Sequence, residues 1–188
     1  MIKIGITGSI ASGKTTASKF IAKRKGKIFS ADKIVKKLYS NIKIKKKISQ
    51  KIKIKLSSNF KVDLRKKILA NQEVLNKLEK FLHPLIRKEM FNFLKKNKKY
   101  KILFFEIPLL VESKLTKYFD KIILIRSNRK LRLKRYKKNN GEENLFSLLD
   151  SKQIDDKIKM KYCDHIVFNN KSLSYLKKSL LNILTKYE

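Results

Sequence analysis

The chain has 188 residues, 49 of them Lys or Arg against 15 Asp or Glu, for a formal charge of +34. That length is expected to make one domain, or one domain carrying a small inserted lobe, and 42% apolar residues suffice for a buried core. Lysine interrupts every apolar run short of the roughly 18 residues of a membrane span, Met1–Ile6 reads as a strand and not as a leader, and one cysteine, Cys163, cannot make an internal disulfide. Secreted, spanning and disulfide-stapled classes are set aside, and a cytoplasmic protein is expected. Lysine outnumbers arginine 42 to 7, and isoleucine and asparagine are abundant, as AT-rich coding produces. A surface built to read phosphate would favour arginine's bidentate fork. The charge is therefore read as composition that draws polyanions loosely, with no specific nucleic-acid partner and no membrane expected.

Residues 2–7 read as a β-strand, followed by a glycine turn and a helix over 14–25. A second strand is expected at 27–30 and a helix from near Asp32 to 40. Residues 42–56 alternate Ile with Lys, which strict periodicity makes an exposed strand, but the helical surroundings favour a basic helix or an irregular stretch. Helices are expected at 62–70, 72–81 and 84–97, the last opened by Pro84. The apolar runs at 102–106, 122–125 and 165–168 read as strands buried on both faces, with helices at 128–138, 143–160 and 171–187. Strands alternating with helices imply an α/β fold with a parallel sheet of about five strands.

Gly8-Ser9-Ile10-Ala11-Ser12-Gly13-Lys14-Thr15 matches G-x-x-x-x-G-K-[ST] between a strand and a helix, the context that a P-loop requires. The glycines let successive N–H groups converge on phosphate oxygens, and the helix N-terminus adds partial positive charge. Lys14 supplies a compact cation for the β- and γ-phosphates, and Thr15 offers a hydroxyl to Mg²⁺. Gly8, Ala11, Ser12, Gly13, Lys14, Thr15 and Thr16 are the candidate ATP contacts. The bland alternative, a turn rich in small residues, does not explain the flanking strand and helix. No N-K-x-D follows, as a GTPase would need, and Phe104-Phe105-Glu106-Ile107-Pro108 only partly matches the acidic strand end of a motor ATPase. Small-molecule kinases of this fold fit the length. Glu106, at the end of a strand, can hold Mg²⁺ through water or be a solvated strand-end charge.

Four segments together resemble the dephospho-CoA kinase family: Ile6 through Thr16, Ala31-Asp32, His83-Pro84-Leu85-Ile86, and Pro108-Leu109-Leu110-Val111-Glu112. A fifth, from Gln153 to Asp164 and on to Asn169-Asn170, is similar in spacing, and Leu64-Arg65 through Ala70-Asn71 looks like the family's acceptor-side helix. The resemblance implies transfer of the ATP γ-phosphoryl group to the ribose 3′-hydroxyl of dephospho-CoA, the last step of coenzyme A synthesis. It implies a P-loop fold like that of the nucleoside-monophosphate kinases, in three layers. The core would be about 1–32 and 100–188, the inserted helical acceptor region about 33–99, and a small lid about 132–145. Asp32 is the candidate for orienting or deprotonating the 3′-hydroxyl, with N-capping of the following helix as its alternative role. Arg135 joins Lys14 and Asp32 among the catalytic candidates, and Arg132 and Asn169 join the ATP contacts. Arg65, His83, Arg87, Pro108, Leu109 and Glu112 are the expected acceptor contacts, though Glu112 can instead pair with a lysine and His83 can be structural. His165, at the start of a buried strand, is read as neither ligand nor catalyst. The family's Asp-Ala-Asp after the second strand is Ser30-Ala31-Asp32 here, and Asn139-Asn140 stand where its lid carries Arg-Asp. The expected partners are ATP and dephospho-CoA, for a protein acting as a monomer, with a weak homo-oligomer left open. The alternatives are another P-loop nucleotide or small-molecule kinase and, behind it, an RNA-associated P-loop ATPase.

Overall fold

The apolar runs at 102–106 and 122–125 become strands buried on both faces, whereas the run at 165–168, read the same way, is an edge strand whose Val167 is buried and whose Phe168 is exposed, because among the described residues no further strand covers it. In the computed structural model, which describes residues 1–187, the chain opens with β1 (Ile2–Thr7), α1 (Lys14–Lys25) and β2 (Ile28–Ser30). Four helices follow: α2 (Ala31–Ser40), α3 (Ile42–Ile52), α4 (Phe60–Ala70) and α5 (Gln72–Lys96). Then come β3 (Ile102–Glu106), β4 (Lys121–Arg126), α6 (Arg129–Lys138), α7 (Glu143–Ser151), α8 (Asp156–Lys159), β5 (His165–Phe168) and α9 (Leu173–Leu184). The chain divides into two units, Met1–Ser30 with the residues from Asn97 onward, and Ala31–Lys96.

In the first unit all strand pairings are parallel and the sheet order is β2-β3-β1-β4-β5. β1 lies at the centre, flanked by strands reached in opposite directions, so the loop after it sits at the switch point where such sheets bind ligands. Ile4 and Ile6 turn to one face and meet Ala17 and Ile21 of α1, Phe104, Ile123, Ile125 and Val167, and Leu176, Leu180 and Ile183 of α9. Phe105 faces the other way, between Phe29 at 6.0 Å and Phe119 at 5.3 Å. The register sets Ile6 and Ser30 on either side of Glu106, bringing three strand ends level.

The second unit is helical. α3 confirms a helix in the Ile/Lys segment: Asn41 caps it by accepting from the Lys43 and Ile44 N–H groups, and Ile48 and Ile52 are buried one turn apart. The i, i+4 subset of isoleucines prevails over the strict alternation. The two helices expected at 72–81 and 84–97 are one, α5, with Pro84 inside it. An interior proline costs about 3 kcal/mol, but Val74, Leu75, Leu78, Leu82 and Met90 are buried, each worth about 1.5–3 kcal/mol, and the helix runs on.

Two further expectations change in the first unit. The helix read over 143–160 breaks after Ser151, because Asp155 turns out of helical geometry to cap α8 by accepting from the Lys157 N–H. The helix read over 171–187 ends at Leu184 and closes in a 3₁₀ turn, Thr185–Tyr187. Among the described residues no helix is long and apolar enough to cross a membrane.

Candidate active site

The loop between β1 and α1 departs from ordinary backbone at three residues: Gly8 (φ 147°), Ala11 (φ 57°) and Gly13 (φ 100°). Gly8 is held to glycine by contact with backbone as well, and a side chain at Gly13 would have to displace Asn169. A Cβ on Gly8 would lie 2.2 Å from the Ile125 carbonyl oxygen, and one on Gly13 would lie 2.2 Å from Asn169 Nδ2. The Ser12 N–H donates to Ser9 O across the turn, and the Ala17 N–H donates to Gly13 O to start α1. The first turn of α1 carries no acid, so its N–H groups face incoming phosphate without a competing carboxylate.

Lys14 is nearly buried (6% exposed) and its Nζ donates to the Ser9 carbonyl at 2.9 Å, which folds the ammonium back over the loop. Thr15 and Thr16 are exposed at the mouth. The Thr15 hydroxyl donates to Glu106 Oε1 at 2.7 Å, and Glu106 is 2% exposed. The two residues expected to serve a metal are thus brought together, because the register ends β3 level with the start of the loop. A hydroxyl beside a carboxylate is a hard-oxygen pair that suits Mg²⁺, an ion that keeps most of its ligands as water and phosphate oxygens.

The α6 arginines pack down onto this loop. Arg132, buried, donates from Nη1 and Nη2 to the two carboxylate oxygens of Asp150 and from Nε to Ser127 O, with a longer contact from Nη1 to Ile10 O at 3.4 Å. Arg135 donates to Asn169 O at 2.9 Å, to Ser127 Oγ at 3.1 Å and to Ser12 O at 3.4 Å, and burial pulls its pKa down. Asn169 completes the group: its Nδ2 donates to Ser12 O at 2.8 Å, across the face of Gly13. Beyond α6, Asn139-Asn140-Gly141-Glu142 link directly to α7, with Asn140 left-handed (φ 59°) and Gly141 against the Tyr136 ring.

Sequence reasoning gave no role to Gln153 or Asp156, which the structure places against the same loop, or to Lys159 further along the same segment. Gln153 Oε1 accepts the Ile10 N–H at 2.8 Å, and Asp156 Oδ1 accepts the Ser9 hydroxyl at 2.7 Å. These bonds span more than 140 residues, and no local pattern announces them. The segment's similarity in spacing to the family was the one available signal. A cavity of about 460 Å³ opens beside this segment, between Ser9, Arg126, Arg129, Gln153, Phe168 and Asn170. Glu112 lies on Lys159, Nζ to Oε1 at 2.8 Å, and also accepts the Ile154 N–H at 3.2 Å. Pro108 offers its carbonyl to the Thr7 hydroxyl at 2.9 Å, and Leu109 beside it is half-buried.

The remaining expected contacts belong to the helical unit. Asp32 is exposed inside the first turn of α2, which begins at Ala31, so it does not precede the helix as an N-cap would. Arg65 is exposed on α4. His83 and the exposed Arg87 lie one turn apart on α5 and share a face. His165, in the first unit, bonds the Tyr187 hydroxyl through Nε2 and takes no part in the loop.

A parallel sheet whose central strand feeds a left-handed, glycine-bounded loop, a helix N-terminus, a lysine and a Thr–Glu pair defines a P-loop nucleotide-binding protein. The chain belongs to the dephospho-CoA kinase family, whose sequence model matches residues 2–174. It is 32% identical over 182 residues to the dephospho-CoA kinase of Fusobacterium nucleatum, covering 94% of each chain. It is similar to the solved structure of a dephospho-CoA kinase from Campylobacter jejuni, with a TM-score of 0.64 and 28% identity over 99% of this chain and 97% of that one. A crystal structure of a Thermus thermophilus protein shares the fold at a TM-score of 0.79 and 22% identity, covering 98% of this chain and 97% of the other.

Proposed function

We propose that this chain transfers the γ-phosphoryl group of ATP to the ribose 3′-hydroxyl of dephospho-CoA, giving coenzyme A and ADP. Family membership over residues 2–174 supports the acceptor, and one observation in the structure carries the chemistry: Lys14 and the Thr15–Glu106 pair converge at the N-terminus of α1. Phosphoryl transfer asks the protein for positioning and charge neutralisation more than for covalent chemistry. The loop N–H groups from Ala11 to Thr16 cradle the phosphates, and Lys14 leaves Ser9 O to meet the charge that develops between the β- and γ-phosphates. Thr15 and Glu106 would hold Mg²⁺, which when bound neutralises phosphate charge. Arg135 and Asn169 fix the loop at Ser12, and Arg132, taken up by Asp150, supports it at Ile10.

In this reading the helical unit binds the acceptor, with Arg65 and Arg87 offered to its pyrophosphate, His83 shaping its pocket, and Asp32 accepting the 3′-hydroxyl proton or orienting that hydroxyl. Pro108, Leu109 and Glu112 border the acceptor side, and residues 132–145 act as the lid. The protein works in the cytoplasm as a monomer. The deciding experiment is ATP consumption with dephospho-CoA as acceptor, the product identified by mass, alongside nucleoside monophosphates as competing acceptors. ADP release and a product heavier by one phosphoryl group with dephospho-CoA are expected. Equal or faster turnover with a nucleoside monophosphate would overturn the assignment.

A further inference from the structure

Lys159 is fully buried (0% exposed), and among the described residues its one ion pair is with Glu112 Oε1. No well-aligned hydrogen bond satisfies its ammonium, and Glu112 Oε2 is buried without a hydrogen-bond partner. A buried ion pair so poorly satisfied is not an efficient way to stabilise a fold, since well-packed apolar side chains do as well or better. What the pair does have is position. Glu112 Oε1 also accepts the Ile154 N–H, and residues 153–156 are the strap whose Gln153 and Asp156 grip the P-loop at Ile10 and Ser9. Lys159 closes α8 at the far end of that strap.

We propose that Lys159 is a positioning residue of the phosphate cradle: through Glu112 it fixes the 153–156 strap, and the strap holds the P-loop at Ser9 and Ile10. Gln153 accepts the Ile10 N–H and so sets the direction of the Ser9–Ile10 peptide, one residue before the first phosphate-facing amide, that of Ala11. Without the Glu112–Lys159 pair, Ile154 loses its fixed acceptor and Gln153 swings with it. The inference rests on the reading above only in taking ATP as the occupant of the loop.

The test measures ATP affinity by calorimetry, ATP and acceptor KM in turnover, and thermal unfolding, on the full chain. Gln153→Leu should weaken ATP binding about tenfold, with unfolding little changed and the acceptor KM within about twofold. Lys159→Met should weaken ATP binding by a similar factor and also melt earlier, because it strands the Glu112 charge. Glu112→Leu/Lys159→Met should recover the melting temperature but not the ATP affinity, since Ile154 still lacks its acceptor. Lys159→Met/Gln153→Leu should lose no more than about threefold beyond the worse single variant, as expected when both act on one peptide. ATP affinity that recovers together with the melting temperature in the apolar pair, or full additivity with Gln153→Leu, overturns the proposal. If Lys159→Met alone does not fold, the apolar pair and Gln153→Leu decide. A wild type that binds ATP but leaves dephospho-CoA unphosphorylated defeats the functional reading and leaves this test standing.

Discussion

Glu106→Gln separates a structural carboxylate from a metal-holding one. Glu106 is 2% exposed and accepts the Thr15 hydroxyl at 2.7 Å. Glutamine keeps a carbonyl oxygen for that hydroxyl, so the melting temperature should move by less than about 3 °C, the equivalent of about 1 kcal/mol in a chain of this size. The charge is what changes. A carboxylate 2.7 Å from the hydroxyl that would meet the cation would lie within about 5 Å of that cation. One negative charge acting on a dication at that range is worth about 2 kcal/mol at the dielectric constant of water, and more in a partly dry cleft. The lower figure already raises half-saturating Mg²⁺ about thirtyfold. The assay is ATP turnover with dephospho-CoA across a Mg²⁺ titration at fixed ATP, read against wild type. Thr15→Val is the companion variant. It leaves the buried carboxylate without its donor, which costs about 1–3 kcal/mol of stability, and it raises the Mg²⁺ requirement as well. A Glu106→Gln protein with the wild-type Mg²⁺ dependence and a clearly lower melting temperature would show that the acid serves packing alone.

Three other outcomes are expected. Lys14→Met keeps the packed stem and loses the cation, so kcat should drop about 10²–10³-fold with the circular dichroism unchanged; a folded variant within tenfold of wild type contradicts the nucleotide site. Asp32→Asn should cost about 10²–10⁴ in kcat if the carboxylate takes the hydroxyl proton, and full kcat with a slightly lower melting temperature removes that role. His165 is held below its ordinary pKa by burial first and then by Lys186 and Lys121, against Asp164. The neutral ring is therefore favoured in the folded state, and its contribution to stability is complete above about pH 6.5 and lost as pH falls through the lowered value. Melting temperature should decline from pH 7 to 5, less steeply in His165→Asn; equal slopes refute the assignment.

How much was legible depends on the range of the interaction that decides each feature. β1, the loop and α1 are specified within fifteen residues by apolar alternation, two glycines and the Lys-Thr pair, and they were read directly. The Thr15–Glu106 contact joins distant residues, yet it was accessible because parallel strands that feed one loop must end level. Pro84 misled because its local cost is real, but the buried face of α5 outweighs it, and that face is counted only once α2, α3 and α4 pack on it. The strap was hidden more deeply. The segment 143–160 has a continuous helical pattern, and nothing in it shows that Asp155 leaves the helix to cap α8 or that Gln153 finds an N–H group 143 residues away.

The same contrast resolves the charge. Among the described residues the buried basic side chains are Lys14, Arg132 and Lys159, and the buried acid is Glu106. Each ion taken out of water costs several kcal/mol unless it is paired, so burial marks where a charge has a specific partner. The partners are Ser9 O, Asp150, Glu112 and Thr15, and every one of these lies in the P-loop, at its edge or on the elements that hold it. The other described lysines and arginines stay partly or wholly in solvent, where salt at 0.1 M screens them beyond about 10 Å. A formal charge of +34 can then speed the approach of a polyanionic substrate, but it has little leverage on a phosphoryl group already held in the cradle. The four buried charges, three cations and one carboxylate, mark the loop and the residues around it, and they are invisible in a count of 49 against 15.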